Sequence, residues 1–286
     1  MKNCGLFVGL ITLDFIYRVR EFPQPNQKIV ALDYLATAGG PATNAAITFA
    51  TLGNSARVMG ILGNHVNAGI IREDLQQYGV QLRDLNANWT ASPPVSSVIV
   101  TEGTGDRAVI SLNGIKSRAT RAQIPDNSLE GVDFVLIDGH QMDVGIAIAQ
   151  QAKEQGIPVI IDGGSWKAGF EGVLPFVDYA ICSANFYPPS CQTPDEAIAY
   201  LARFSIPHIA ITNGEKPIIY CSQETRGIIA LPPVKVVDTL GAGDIFHGAF
   251  CHHISKLNFR EALASAATIA TRACQFFGTR AWIGDR

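Results

Sequence analysis

The chain has 286 residues and a formal net charge of −3, from 22 basic and 25 acidic side chains, and this length supports a sizeable buried core. Because no run of Lys or Arg stands out, the charge pattern argues against a nucleic-acid partner and favours a small neutral or anionic ligand. No segment approaches the roughly 18 consecutive apolar residues that a membrane helix needs, so we expect a soluble protein with no membrane partner. Six cysteines lie apart without a C-x-x-C pair, which predicts a reducing, cytoplasmic location.

In chain order, the first predicted element is a buried strand in the apolar segment before Asp14, which lacks the small-residue cleavage site of a signal peptide. The clearest alternation of strand and helix lies in residues 132–164, where the apolar run 135–137 indicates a strand buried on both faces. Apolar residues at helical spacing follow from Met142, and Gly156 ends the helix. Further strands are predicted in VDYAICS, PHIAITNG, PIIYCS and IIALP. This order predicts a parallel or mixed sheet covered by helices on both faces.

Two segments, residues 14–36 and 93–112, interrupt this alternation. Apolar and polar residues alternate in both, as in half-exposed strands, around a proline-containing turn in the first segment and EGTGD in the second. We expect the two segments to form one small sheet that serves as a lid over the site. Because an apolar face of such a sheet needs cover, we also expect two lids to pair in a homodimer.

Residues 238–250, DTLGAGDIFHGAF, place small residues where a loop becomes the N-terminus of a helix. The backbone N–H groups of Gly241, Ala242 and Gly243 are predicted to form an anion hole for a phosphate. Asp244 would repel that anion, so its presence suggests a second task, which is to accept a proton from an alcohol that attacks the phosphate. The structural alternative is that Asp244 caps the helix, because Asp is a favoured N-cap residue.

Asp238 and Thr239 extend this segment to D-T-x-G-A-G-D, which resembles the C-terminal signature of the ribokinase/PfkB family of carbohydrate kinases. The resemblance extends over most of the chain. It implies a single domain over residues 1–286, with a ribokinase-like three-layer α/β/α core, a mostly parallel central sheet and a small β-sheet lid. It also implies an ATP-dependent kinase that transfers the γ-phosphoryl group to a sugar hydroxyl, with Asp244 as the base and Mg²⁺ arriving with ATP.

The sugar side of the site is implied by the same resemblance. Asp14 in GLITLDF looks like the acid with which the family binds sugar hydroxyls, and Gly39, Gly40 and Asn44 match the family's sugar-side loop and helix. Asn113, just after the second lid segment, is a further candidate for this pocket. Considered alone, Asp14 could cap a turn and Asn44 could hydrogen-bond within a helix. As an ordered set they are predicted substrate contacts.

The nucleotide side is implied by ITNGEKPIIY, which resembles the strand and turn that touch ATP in this family. Thr212 and Gly214 match that segment, and Thr239 is assigned to the same side. Pro217 departs from the pattern, because a glycine is common at its position.

The metal ligands are unknown from the sequence. Asn185 is followed three positions later by Pro188, so the N-x-x-E motif that supports magnesium in many members is missing, as it is in the ketohexokinase-like branch. Asp238 and the segment around Gly278 resemble loops that hold a monovalent cation such as K⁺ in some relatives. His65 stands where the family's N-terminal signature usually carries an acid, and we assign it no catalytic role.

Several alternative functions stay open at this stage. A catalytically silent sugar- or nucleotide-binding regulator on the same fold is one, and a nucleoside kinase is another. A nicotinamide-dependent oxidoreductase is disfavoured because GLFVGLITLD lacks the G-x-G-x-x-G spacing of a dinucleotide fold. Among substrates, ketohexoses are slightly favoured over pentoses, nucleosides and modified sugars.

Overall fold

The computed structural model describes residues 2–112, 114, 117–222 and 225–284. In this part of the chain the strands are β1 (Cys4–Val8), β2 (Thr12–Val19), β3 (Asp33–Gly39), β4 (Ser55–Gly60), β5 (Val80–Asp84), β6 (Val95–Thr101), β7 (Arg107–Ser111), β8 (Phe134–Ile137), β9 (Val159–Gly163), β10 (Tyr179–Ser183), β11 (His208–Asn213), β12 (Lys216–Ser222) and β13 (Thr225–Ile229). The helices are α1 (Pro41–Thr51), α2 (Asn67–Gln77), α3 (Met142–Glu154), α4 (Phe170–Val173), α5 (Pro194–Ala202), α6 (Ala242–Ile254) and α7 (Phe259–Ala273). None of the helices in the described part of the chain is long and apolar enough to cross a bilayer.

The main sheet runs in the order β13-β12-β11-β10-β9-β8-β1-β4-β5. Its strands from β11 to β5 are parallel, and β12 and β13 add an antiparallel edge. Successive side chains of β1 pack into two hydrophobic cores on opposite faces of the sheet. Phe7 packs with α1, α6 and α7 on one face, whereas Leu6 and Val8 pack with α3 on the other. This alternation explains why the strand is apolar throughout, since both of its faces are covered. The predicted three-layer α/β/α core is confirmed.

The lid is a four-stranded sheet in the order β3-β2-β6-β7 in the described residues. Each of the two predicted segments forms an antiparallel hairpin, and the hairpins join through the parallel pair β2 and β6. The prediction that both segments share one sheet is therefore confirmed. Ile16, Val98 and Val100 on the inner face pack against Leu240 and Phe277, which ties the lid to the loop before α6 and to the C-terminal segment. The assignment of the whole chain to one domain stays a prediction.

Candidate active site

The candidate site lies at the edge of the main sheet where the parallel strands end, because α6 begins there. His247, in the second turn of α6, contacts the carbonyl oxygen of Ile181 in β10 through Nε2 at 3.1 Å. Its Nδ1 lies 3.5 Å from Oδ2 of Asp162 in β9. Asp244 precedes His247 by about one helical turn, so it lies at the edge where ligands of open α/β sheets bind.

The first turn of α6 presents free backbone donors. Gly241 holds the N-cap position with a φ of 70°, a left-handed conformation that glycine adopts without strain, and no side chain caps the helix. Among the described residues, the N–H groups of Gly241 and Gly243 have no hydrogen-bond acceptor, whereas the N–H of Ala242 donates to the carbonyl of Thr239 at 3.3 Å. Unpaired donors at the positive end of the helix dipole suit an anion.

Asp244 does not cap α6. The helix begins at Ala242, so Asp244 is its third residue and Gly241 occupies the cap position. The carboxylate instead accepts a hydrogen bond at 2.8 Å, through Oδ2, from Nδ2 of Asn44. The capping alternative is therefore wrong, and two predicted site residues that lie 200 positions apart in the chain meet here.

The surroundings of Asp244 move its pKa close to neutrality. Burial and the nearby charge of Asp162 raise the pKa of Asp244 to about 7. The hydrogen bond from Asn44 and the charge of His247 act in the opposite direction, while Asp14 adds to the rise. A carboxyl group with such a pKa can accept a proton from an alcohol near neutral pH, which is the property a general base needs.

Asp14 lies on β2, on the inner face of the lid. Its Oδ1 accepts a hydrogen bond from Oγ1 of Thr12 at 2.8 Å, and burial raises the pKa of this carboxyl. A Cβ atom at Gly39 would lie 1.9 Å from Oδ2 of Asp14, so only a glycine leaves room for the carboxylate there. Gly40 is the N-cap of α1 and accepts the backbone N–H of Asn44 at 2.9 Å. The structure thus assembles Asp14, Gly39, Gly40 and Asn44 where β3 meets α1.

The predicted nucleotide residues are more dispersed. Thr212 lies in β11, and its Oγ1 donates to the carbonyl of Cys182 at 3.4 Å. Gly214 has a φ of 55° in the turn between β11 and β12. Thr239 accepts a hydrogen bond through Oγ1 from Nη1 of Arg107 on the lid strand β7. No hydrogen bond between these three predicted residues is found in the described part of the chain.

Asp238 joins the two predicted cation loops directly. Its buried carboxylate accepts the N–H of Leu240 at 2.8 Å through Oδ1 and the N–H of Gly278 at 2.9 Å through Oδ2. Within the described residues, His, Cys, Asp and Glu side chains form no group of three or more that could hold a metal ion. Asn113, the remaining sugar-side candidate, lies outside the described residues.

Sequence reasoning missed a buried arginine beside this site. Nη1 of Arg280 donates to Oδ1 of Asn44 at 3.0 Å and to Oγ1 of Thr279 at 2.8 Å, and Nη2 donates to the carbonyl of Ala38 at 2.8 Å. Nη2 also lies 3.6 Å from the carboxylate of Asp74 in α2. The one available signal was a charged residue among the apolar residues of FFGTRAW, and its partners come from three distant segments.

Comparisons with known proteins show which family the chain is similar to. The sequence model of the pfkB family carbohydrate kinase matches residues 6–283. Ribokinase of Arabidopsis thaliana is 27% identical over 297 residues, which cover 98% of this chain and 78% of the relative. Ketohexokinase of Mus musculus is 24% identical over 287 residues, which cover 96% of each protein.

Solved structures show the same fold. The crystal structure of a putative ribokinase from Agrobacterium tumefaciens matches with a TM-score of 0.84 and 24% identity, and the match covers 99% of this chain and 94% of the other. A putative ribokinase II from E. coli, in complex with ATP and Mg²⁺, matches with a TM-score of 0.78 and 20% identity over 100% of both chains.

Proposed function

Because the chain belongs to the pfkB family of carbohydrate kinases, and is thus a sugar kinase and a phosphotransferase, we propose that Asp244 is the general base in transfer of the γ-phosphoryl group from ATP to a sugar hydroxyl. The observation that carries this proposal is the position of Asp244 beside the free N–H groups of Gly241 and Gly243, with a pKa of about 7. The carboxylate accepts the hydroxyl proton as the oxygen attacks, and the helix N-terminus stabilises charge on the phosphoryl oxygens.

ATP fits the donor set at the start of α6. We assign the phosphates to Gly241, Ala242 and Gly243, although the N–H of Ala242 must first leave its 3.3 Å contact with Thr239. Thr212, Gly214 and Thr239 are assigned to the nucleotide. The described residues offer no cluster that would hold Mg²⁺ alone, so the ion is expected to arrive on the phosphates, whose charge it neutralises.

A monovalent cation is proposed for the loops that Asp238 connects. The carboxylate of Asp238 is buried and already accepts two backbone N–H groups, so a K⁺ ion would be held by carbonyl oxygens of the same loops rather than by this carboxylate alone. Activity measured in K⁺ and in tetramethylammonium salts at equal ionic strength tests this assignment.

The acceptor is proposed to bind between Asp14 and Asn44, over the backbone of Gly39 and Gly40. The carboxylates of Asp14 and Asp244 can accept hydrogen bonds from the hydroxyl groups of a neutral sugar, and the amide of Asn44 can donate or accept them. A ketohexose is slightly favoured as the acceptor, in keeping with the ketohexokinase among the relatives, and the ribokinase among them keeps a pentose open.

The outer face of the lid supports the proposed homodimer. Phe15, Tyr17 and Tyr34 form an aromatic cluster there, with ring centroids 6.1 Å apart for Phe15 and Tyr34 and 5.4 Å apart for Tyr17 and Tyr34. Ile110 lies on the same face and is 70% exposed. A second lid packed on this face would remove the apolar surface from water. Sedimentation of the wild type and of Ile110→Lys tests the dimer, and a wild-type monomer at micromolar concentration contradicts it.

The function is tested by ADP release with a panel of ketohexoses, pentoses and nucleosides, with Asp244→Asn as the control. Phosphorylation of a sugar by the wild type alone supports the proposal, and phosphorylation of nucleosides alone supports a nucleoside kinase. Binding of sugar and ATP without ADP release supports the silent regulator.

A cytoplasmic location is retained as a prediction, and the six free thiols suit a reducing compartment.

A further inference from the structure

A chain of hydrogen bonds connects α2 with the proposed base. The guanidinium of Arg280 faces the carboxylate of Asp74 at 3.6 Å and donates to Oδ1 of Asn44 at 3.0 Å. Nδ2 of Asn44 in turn donates to Oδ2 of Asp244 at 2.8 Å. The side chain of Arg280 is only 10% exposed, so these contacts form away from bulk water.

The chemistry of Arg280 determines which way the amide of Asn44 faces. A guanidinium has five N–H donors and no acceptor, so the group it meets must be the amide oxygen of Asn44. The NH₂ group is then directed at Asp244, where it donates to the carboxylate. If the amide were reversed, its oxygen would face the oxygen of Asp244, and only a protonated Asp244 could pair with it.

Arg280 is itself held in place on both sides. Oδ2 of Asp74 accepts the N–H of Ala38 at 2.9 Å, and the carbonyl of the same Ala38 accepts Nη2 of Arg280 at 2.8 Å. The guanidinium also lies over the ring of Tyr78, 5.6 Å from its centroid. Asp74 and Arg280 therefore both hydrogen-bond the backbone of Ala38, and they fix the end of β3 just before Gly39, where the proposed sugar loop begins.

We propose that Arg280 is a positioning residue for phosphoryl transfer, which keeps the NH₂ group of Asn44 directed at Asp244 so that the base stays ionised and correctly oriented. This inference rests on the proposed role of Asp244. It assigns Asn44 a task beyond contact with the sugar, because both ends of its amide are engaged before any substrate binds.

Several other charged groups face Asp244 and must be held constant in any test. Asp162 on β9 and Asp14 on β2 raise the pKa of Asp244, and His247 on its own helix lowers it. The charge of Arg280 also acts on Asp14, which itself raises the pKa of Asp244, so removal of Arg280 can change that pKa through charge alone. A double-mutant comparison with Asn44 separates the two routes.

The experiment is a ¹³C NMR titration of Asp244 in the full chain labelled at aspartate, assigned with Asp244→Asn and recorded without ligands. We expect Arg280→Met to move the midpoint of Asp244 upward by about one pH unit, as loss of one hydrogen bond to a charged group predicts. Arg280→Lys, which keeps a donor and the charge, should give a smaller shift. Asn44→Ala should shift the midpoint as Arg280→Met does, and the double variant should shift it no further.

An unchanged midpoint in Arg280→Met overturns the proposal, and so do shifts that add in the double variant. Arg226→Met is the matched control, because its ion pair with Asp195 lies on the surface, and it should leave the midpoint in place. If circular dichroism shows that Arg280→Met does not fold, the single variants Asp74→Asn and Arg280→Lys carry the test. The midpoint of Asp244 should then rise in each of them. Since no substrate is present, failure to find a sugar acceptor counts against the proposed function alone.

Discussion

Arg107 of the lid strand β7 donates a hydrogen bond through Nη1 to Oγ1 of Thr239, in the loop that leads into α6. The contact joins the lid to the proposed phosphate-binding end of the helix, and it adds a polar link to the apolar packing of the lid against Leu240. A guanidinium at this position can also face the phosphates of ATP, since Arg suits bidentate contact with phosphate.

Arg107→Met is therefore expected to weaken apparent affinity for ATP by about tenfold, the effect of losing one charge-assisted hydrogen bond. Steady-state kinetics at varied ATP measures this change. Arg20→Met, at an exposed lid position, is the matched control and should leave the KM for ATP unaltered. Equal losses in both variants would show that charge on the lid, rather than the contact with Thr239, is responsible.

Asp244→Asn is expected to lower single-turnover phosphoryl transfer by about 10²- to 10⁴-fold, because general-base catalysis has this magnitude. The amide keeps the size of the carboxylate, and no cap is lost because Gly241 holds that position. Affinity for ATP should hold or improve, since a negative charge beside the phosphates is removed. Transfer and nucleotide binding are measured on the same folded variant, and full activity would exclude Asp244 as the base.

The pH dependence of kcat/KM is expected to show an acid limb near pH 7, because protonation of Asp244 removes the base and its pKa is about 7. Asp162→Asn removes a charge that raises this pKa, so the limb should move to lower pH. His247→Asn removes a side chain whose charge lowers the pKa of Asp244, so the acid limb should move to higher pH. Rate profiles from pH 5 to pH 9 check the two directions, and shifts of the same sign would contradict this account.

The raised pKa of Asp244 also predicts a link between stability and pH. A carboxyl whose pKa is higher in the folded than in the unfolded state contributes stability below its unfolded value, and that contribution is lost as pH rises through about 7. Asp244→Asn should consequently have a higher Tm than the wild type at pH 8, with the difference vanishing near pH 4. Thermal melts of both proteins at the two pH values measure this difference. An equal Tm for the wild type and Asp244→Asn at pH 8 would contradict the claim that ionised Asp244 destabilises the folded state.

Asp14→Asn is expected to weaken sugar binding by about 1 to 3 kcal/mol, because hydroxyl groups would lose a buried acceptor. Affinity for ATP should hardly change. Calorimetry with each ligand separately makes the comparison, and equal losses for both would indicate misfolding. Gly39→Ala provides a second probe, since its Cβ would displace the carboxylate of Asp14 and should reproduce the loss of sugar affinity.

The sequence by itself determined the layers of this protein and the local chemistry of its motifs. Strands such as 135–137 are apolar throughout, which requires cover on both faces, and the alternating residues of the lid segments require a half-exposed sheet. In GAGD, small residues before a helical pattern indicate an open helix N-terminus. These features depend on neighbours in the chain, so the local pattern was sufficient to predict them.

Only the tertiary structure decided what Asp244 is paired with. Its hydrogen bond to Asn44 spans 200 positions, and Arg280 reaches Asn44 from 236 positions away. Asp162 influences the pKa of Asp244 because the main sheet places β9 beside β10, under α6. Burial and side-chain distance arise when strands and helices pack, and no local sequence pattern specifies them.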